Sequence, residues 1–488
     1  MMRRWLPAAV FFAAAGWQAA RLSGSPDVVD IGSRRELFVD RYLIARMEGA
    51  DLRLGQPVDH GPVLRLDRPW EGAFCGYFTV LDDDGLYRMY YRGVPVSGED
   101  GSANEVTCYA ESRDGIHWTK PDLGYFEVGG TRRNNVILAH APPFSHNFCP
   151  MIDRRPGVPA AERYKAVAGT SRSGLVAFVS ADGRRWRRLR EVPVIPYAKP
   201  LGFDSQNLAF WSESERQYVC YMRSFKEIGG KRYRWVSRAT SQDFVHWTKP
   251  LEMSYGDAPP EHLYTNQTSP YSRAPHLYIS LCARFEPGRQ VLSAEQARAV
   301  HVAPDYFKDC SDAVLVTSRG GNRYDRTFLE AFLRPGLGLE NWVSRSNYPA
   351  LNVVQTAPQE LSFYVAKNYG QPTAYVRRYG LRLDGFASLH SGYGGGEAVT
   401  RPLRFQGRQL EINYATSAAG GVRIEIQDES GRPFPGYSLE DAQEIIGDEL
   451  ARVVSWKQGS DLRTLAGKAV RLRFALKDAD VYSFRFGG

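Results

Sequence analysis

The densest run of side chains able to hold an anion is TSRGGNRYDR, residues 317–326. Arg319 and Arg323 carry planar guanidinium forks that match a uronate, sulfate or phosphate, with Asn322, Asp325 and Arg326 beside them. The competing reading of that run is a salt-bridged outer turn. A second polar run, SHNFCPMID, offers His146, Asn147 and, further on, Asp153; the imidazole can bond a sugar hydroxyl or simply cap a loop. In TNQ, Asn266 and Gln267 suit hydroxyl recognition. Trp70, Tyr77 and Tyr264 could stack on sugar faces, although core packing is the commoner fate of such rings. The six cysteines, Cys75, Cys108, Cys149, Cys220, Cys282 and Cys310, lie singly with no CxxC or CxxH spacing. They support no zinc site and read as buried free thiols.

These residues need elements that bring them together. The heptapeptide SRDGIHW (112–118) returns as SADGRRW (180–186) and SQDFVHW (241–247), at intervals of 68 and 61 residues. Ser and Asp bond the backbone of a tight turn and Gly accepts positive φ, so the motif predicts a turn with no chemistry of its own. Each copy follows two strand-like runs, YRMYYRGV and EVTCYAES in the first case. The interval suits a four-stranded propeller blade with long loops, whose outer hairpin the motif closes. Two further blades are legible without the motif, one over residues 276–332 and one from 360 through FASLHSG at 386–392. ELFVDRYLI, residues 36–44, is expected to close the ring. The chain is therefore expected to be all-β: a five-bladed β-propeller over 30–390, a Gly-rich hinge SGYGGGEA, and a C-terminal β-sandwich over 399–488. Only SLEDAQEIIGDE, 438–449, has a helical look.

The segments RPWEGAFCGYFTV, DGIHWTKP, GFDSQNLAFW, EHLYTNQTSPY and TSRGGNRYDRTFLEAF look like those of secreted bacterial invertase-like proteins. Five blades with a C-terminal sandwich resemble the invertase/levanase glycoside hydrolases, and the propeller resembles the arabinanase/β-xylosidase family. The resemblance implies three acidic residues at a central funnel, at the entry to the innermost strands of blades one, three and four. Those positions hold Glu71, Asp204 and Glu261. It implies Glu261 as general acid, Asp204 as stabiliser, and Glu71 as base or nucleophile. The Asn-Asp-Pro, Arg-Asp-Pro and Glu-Cys motifs of invertases are absent, which argues against fructosidase activity. The resemblance admits a structural Ca²⁺, but no acidic loop spells one out, so no cofactor is expected.

The expected function is thus a secreted glycoside hydrolase acting on an oligo- or polysaccharide. The alternatives are a non-catalytic carbohydrate-binding propeller and a sialidase-like enzyme, since Ser-x-Asp-Gly…Trp approximates the sialidase Asp-box. The last needs six blades, three convergent arginines and a tyrosine nucleophile. A protein-binding propeller of the WD type lacks its signatures. The net charge of +8 is carried by scattered arginines rather than a stripe, which argues against a nucleic-acid partner. The start, MMRRWLPAAVFFAAAGWQAA, has a charged n-region and a short apolar core, so residues 1–22 are expected to be a signal peptide and the protein secreted or periplasmic, with no membrane attachment after cleavage. Oligomeric state is not legible.

Overall fold

The computed structural model describes residues 28–98 and 100–488; the expected signal peptide lies outside them. Five twisted antiparallel sheets form a ring. Blade 1 runs outward through Gly76–Asp83, Leu86–Gly93, Val106–Ser112 and Val136–Leu138. Blade 2 uses Cys149–Ile152, Tyr164–Ala168, Val176–Ser180 and Arg187–Arg188. Blade 3 uses Leu208–Ser212, Gln217–Ile228, Lys231–Ser241 and Leu251–Glu252. In blade 4 the innermost strand is interrupted, Leu263–Thr265 then Thr268–Tyr271, before Ala274–Glu286 and Cys310–Ser318. Blade 5 is built from Tyr348–Pro349, Val354–Ala357, Glu360–Lys367 and Tyr375–Arg382.

Blade faces pack on blade faces, so the middle strands bury both sides and read as nearly unbroken apolar runs. Val176–Ser180 is buried at every position. The ring is held by a series of inter-blade cores. One between blades 1 and 2 contains Tyr90, Tyr109, Phe148 and Phe178. Another, between blades 3 and 4, contains Phe210, Tyr221, Tyr278 and Tyr324. All six cysteines are free and buried, as expected, and burial pushes the thiols of Cys75, Cys108, Cys149, Cys220 and Cys282 upward.

The repeated heptapeptide builds the expected turn. In the first copy Asp114 Oδ1 accepts from the backbone N–H groups of Ile116 and His117, both at 2.8 Å, and Ser112 Oγ accepts from Gly115 N at 2.9 Å. Trp118 Nε1 closes the loop on the Gly115 carbonyl at 3.1 Å. The second and third copies repeat these bonds through Asp182 and Asp243. The positive-φ residue is Gly115, Gly183 or, in the third copy, Phe244 at φ 67°. In the first two copies its carbonyl takes a hydroxyl from a neighbouring blade: Tyr364 donates to Gly115 O at 2.6 Å and Tyr90 to Gly183 O at 2.9 Å. The motif thus also fastens neighbouring sheets.

Ring closure and the domain boundary differ from expectation. The closing strand is Val58–Arg65, which pairs antiparallel with Tyr375–Arg382. ELFVDRYLI belongs instead to the second domain, where Glu36–Leu37 pairs with Phe484 and Ser483. Val29–Gly32, Ile44–Glu48 and Asp51–Leu54 likewise pair with Leu403–Phe405, Gly396–Thr400 and Ala387–Ser391. The FASLHSG segment is therefore sandwich rather than blade 5. The spine of this domain is two 19-residue strands, Gln409–Gln427 and Ala469–Gly487. The second alternates buried and half-buried residues, the period-two pattern of a sheet with one covered face. Its core includes Phe38, Ile412, Trp456, Phe474 and Phe484. Residues 438–449 form turns and the start of a strand, not a helix: Glu425 and the Ser438 hydroxyl take up the local N–H groups.

The two domains meet at a buried carboxylate. Asp384, fully buried, accepts from Tyr271 at 2.7 Å, Arg273 at 2.8 Å and Ser483 at 2.7 Å, with Arg35 at 3.4 Å. A second clamp joins Arg319 of blade 4 to Glu36 and Asp40, each at 2.8 Å.

Candidate functional site

The innermost strands run the same way along the ring axis, so their N-terminal ends share one mouth of the central channel and their C-terminal ends the other. The second mouth holds the larger cavity, about 430 Å³, walled by Leu81, Ile152, Leu208, Pro270, Val353 and their neighbours. Of its charged residues, Asp82, Arg154 and Glu213, none makes an ion pair with another among the described residues, and Arg154 donates to the Asp82 backbone carbonyl at 3.2 Å. The first mouth is narrower, about 30 Å³ of free space, but it is where polar and aromatic side chains meet. Part of the backbone strain lies there too. Tyr77 (φ 57°), Phe203 (56°), Gln267 (48°) and Arg345 (61°) are left-handed non-glycine residues at the entries to four blades. Such conformations cost about 1–3 kcal/mol each and cluster at sites where side-chain placement outweighs comfort.

Below that mouth a polar throat divides the channel. Gln206 Nε2 donates to Thr79 Oγ1 at 2.8 Å, and Gln267 Nε2 donates to Gln206 Oε1 and to the Pro349 carbonyl, both at 2.8 Å. Gln267 Oε1 is buried with no partner. Above the throat stand Tyr77, Tyr264, Tyr348 and Tyr369. Tyr77 donates its hydroxyl to the Asp204 backbone carbonyl at 3.0 Å, tying blade 1 to blade 3. Burial pushes the Tyr77 phenol well above its ordinary value, so it stays protonated.

Two carboxylates reach this mouth with open faces. Asp204 has a side chain 40% exposed and meets Arg223 at 3.3 Å. Asp100 is 61% exposed and lies 3.9 Å from His146 Nε2. Behind Asp100, His146 Nδ1 donates to Glu105 Oε1 at 2.9 Å, a bond that directs Nε2 toward the mouth; Nε2 is buried with no hydrogen-bond partner. Arg92 bridges this group to the tyrosines: it sits 3.2 Å from His146 Nδ1, 3.2 Å from the Tyr369 hydroxyl, and 4.7 Å over the Tyr77 ring.

The other carboxylates expected at the funnel are elsewhere. Glu71 is fully buried and receives Tyr91 OH at 2.5 Å, Lys120 Nζ at 2.6 Å and Arg68 N at 2.9 Å. It anchors the chain entering blade 1 and does not line the channel. Glu261 is gripped between Arg284 at 2.9 Å and Arg326 at 2.5 Å on the outer side of blade 4. Both lie away because a nearer cation claims each of them.

Most of the expected sugar-binding residues are structural as well. Asn147 Nδ2 donates to the carbonyls of Gly169, Phe203 and Ser205, stitching blades 2 and 3. Asp153 is buried against Lys165 at 2.9 Å and Tyr218 OH at 2.6 Å. Asn266 Oδ1 accepts from Thr268 N at 3.2 Å and stabilises the break in the blade 4 inner strand. Arg319 is committed to the domain clamp, Asp325 caps Thr327 N at 2.8 Å, and Arg323 is exposed on the outer edge. The TSRGGNRYDR run is thus the salt-bridged outer turn. Trp70 is core, its Nε1 bonded to Asn135 Oδ1 at 2.8 Å. His146, Asp204, Gln267, Tyr77 and Tyr264 are the expected residues that the fold does bring together.

Several mouth residues escape a motif search: Arg92, Asp100, Glu105, Arg223, Arg234, Arg345, Tyr348 and Tyr369. RSNYP, residues 345–349, precedes the blade 5 inner strand just as GFDSQ and YTNQ precede those of blades 3 and 4. The rule that located Asp204 would have located Arg345. Arg223 and Arg234 lie diagonally on one face of the blade 3 hairpin, opposite Val236 and Phe225 respectively, and carried no signal beyond charge in a strand.

Fold and site together define a five-bladed β-propeller, followed by a β-sandwich, whose channel opens through a strained, aromatic and charged mouth. No protein-family model matches the chain. It is 29% identical over 130 residues to an uncharacterized protein of Mycobacterium tuberculosis (strain CDC 1551 / Oshkosh); that match covers 26% of this chain and 38% of the length of the relative. Similar solved structures include a glycoside hydrolase at TM-score 0.46 and 9% identity, covering 67% of this chain and 92% of that one. A β-1,2-mannobiose phosphorylase from Listeria innocua superposes at TM-score 0.43 and 11% identity, over 69% of this chain and 98% of that one. A fructofuranosidase from Schwanniomyces occidentalis does so at TM-score 0.36 and 10% identity, over 94% and 99%.

Proposed function

We propose that the protein is a glycoside hydrolase that binds a saccharide at the mouth lined by Tyr77, Tyr264 and Tyr369. The observation that carries this reading is the pair of open carboxylates, Asp204 and Asp100, set around Tyr77 at a channel end walled by aromatic rings. Sugar hydrolysis needs one carboxylic acid for the leaving oxygen and one carboxylate for the ring carbon or its water. Asp204, bridged to Arg223 at 3.3 Å, is one member of that pair. Asp100 has no arginine or lysine bridge among the described residues and is the second member of the pair. Tyrosine faces supply the stacking surface and His146 Nε2 a hydroxyl partner. In keeping with the N-terminal pattern, we propose that the protein acts after export.

A binding-only propeller is favoured by a different observation: Glu71 and Glu261 are both locked in ion pairs, leaving the mouth with fewer carboxylates than a three-acid site. The sialidase-like reading requires six blades and the ring has five. The deciding experiment is hydrolysis of a panel of plant, algal and bacterial glycans by the mature protein beside Asp204→Asn, Asp100→Asn and Glu261→Gln. Loss in the first two with retention in a folded Glu261→Gln supports the hydrolase. Binding of a glycan without turnover supports the binding propeller, and activity surviving both Asp changes removes these residues from the chemistry.

A further inference from the structure

Buried cations are normally paired, because taking a charge out of water without a counter-charge is costly. At the mouth the buried Arg223 keeps to that rule, but two half-buried arginines beside it, Arg234 and Arg345, lack such a partner among the described residues. Three guanidinium groups surround the ring of Tyr264: Arg223 at 4.5 Å, Arg234 at 5.0 Å and Arg345 at 5.5 Å from its centroid. Only Arg223 has a carboxylate, Asp204 at 3.3 Å, and its other arm donates to the Tyr264 carbonyl. Arg234 and Arg345 have no acidic side chain within 4.0 Å among the described residues. Each carries five N–H donors. Of these, one is engaged among the described residues, the long bond from Arg345 to the Tyr306 hydroxyl at 3.5 Å. Arg345 Nε is buried with no hydrogen-bond partner.

Rings substitute partly for the missing charge. Arg345 also lies 5.3 Å from the Tyr306 centroid and 5.9 Å from that of Tyr369, and Arg234 lies 4.6 Å from Phe285. Cation–π contact stabilises a cation but leaves its in-plane N–H groups free to point at a ligand. On the blade 3 side, burial and the neighbouring Arg223 push the Arg234 guanidinium downward, and burial with Arg234 and Arg223 does the same to His262. At Arg345 burial is instead outweighed by Tyr264, Tyr369 and Tyr348, which hold the guanidinium upward. Arg345 is moreover held in the left-handed region, φ 61°, at the blade 5 entry, which fixes its direction at a conformational cost.

We infer that the saccharide taken at this mouth is acidic: its oxyanions, the carboxylate of a uronic acid or a sulfate ester, dock on the open N–H groups of Arg345 and Arg234 around Tyr264. This rests on the carbohydrate reading above. It places the recognition of charge on blades 3 and 5, beside Asp204. A planar fork matches either anion with two parallel hydrogen bonds, which a lysine at the same place would not.

The test is calorimetric binding of three oligosaccharides of equal length, an oligogalacturonate, a sulfated galactan fragment and a neutral galactan fragment. It is run on the wild type, Arg345→Gln, Arg345→Lys, Arg234→Gln and the exposed control Arg185→Gln, all first checked by thermal melting. The expected result is that one or both acidic ligands bind at least 10-fold more tightly than the neutral one. That preference should fall about 10-fold or more in Arg345→Gln and Arg234→Gln, fall partly in Arg345→Lys, and persist in Arg185→Gln. Raising NaCl from 50 to 500 mM should weaken only the acidic ligands. The uronate and sulfate arms identify the anion. Equal affinity for acidic and neutral ligands, or equal loss of both in the arginine variants, overturns the acidic assignment while leaving the carbohydrate reading intact. Binding of none of the three by folded wild type, with no hydrolysis across the glycan panel, overturns both.

Discussion

Replacing Glu71 separates a structural carboxylate from a catalytic one. In Glu71→Gln the volume is kept but Lys120, whose side chain is 9% exposed, loses its counter-charge at 2.6 Å. Asp67 at 3.2 Å remains as partial compensation, but it is 64% exposed and screened by water. Breaking one partner of a buried pair costs about 3–5 kcal/mol, and the residual Asp67 contact places this variant near 3. Glu71→Leu also strands the Tyr91 hydroxyl and the Arg68 N–H, about 1–3 kcal/mol for each buried unsatisfied group, so it should be clearly worse. At about 2–4 °C per kcal/mol for large domains, Glu71→Gln should melt roughly 6–12 °C below the wild type. The double variant with Lys120→Met should recover part of that loss, because removing both charges leaves no buried orphan. The assay is thermal unfolding followed by circular dichroism, with glycan turnover measured on the fraction still folded. A Glu71→Gln protein with the wild-type midpoint and no turnover would refute the reasoning and return Glu71 to the chemistry.

Other outcomes follow from the same contacts. Burial pushes the Glu36 carboxyl up, but the contact with His276 Nε2 at 3.1 Å and the charges of Arg319 and Arg34 overcome it and hold it to about 2. A depressed carboxylate stabilises above its unfolded value, so this contribution is intact at pH 7 and drains away as pH falls from about 4.5 toward 2; melting curves over that range should be flatter in Glu36→Gln. Gly183→Ala should destabilise by about 1–3 kcal/mol, because φ is +73° and the new Cβ would sit 2.8 Å from the Tyr90 hydroxyl and 3.1 Å from the Tyr164 ring. Gly129→Ala, at φ +60° with nothing within 4 Å, should cost only about 1 kcal/mol, and parallel thermal melts compare the two. A chain starting at residue 56 lacks the four strands that join the sandwich. Limited proteolysis should then degrade residues 387–488 while the propeller persists.

The division between what local sequence decided and what it did not follows the distance over which residues act. The Ser-x-Asp turn is complete within seven residues: Ser112, Asp114, Gly115 and Trp118 satisfy one another, so type and spacing alone specify it. The strands flanking it were legible for the same reason, since period and β-branching are local properties. Three blades follow from counting such units, and the other two from strand-like runs without the motif. The destination of a carboxylate is another matter. Whether Glu261 faces the channel or an arginine depends on Arg326, 65 residues on, and Glu71 is taken by Lys120 at a separation of 49. The chain 29–54 is strand-like by composition, but its partners lie beyond residue 386, and only the closed ring shows that Val58–Arg65 completes blade 5. The arginines about Tyr264 come from residues 223, 234 and 345, which share no sequence signal. Circular closure sets them around one ring, and only the folded chain shows that Arg234 and Arg345 stand there without an acidic partner among the described residues while Arg223 takes Asp204.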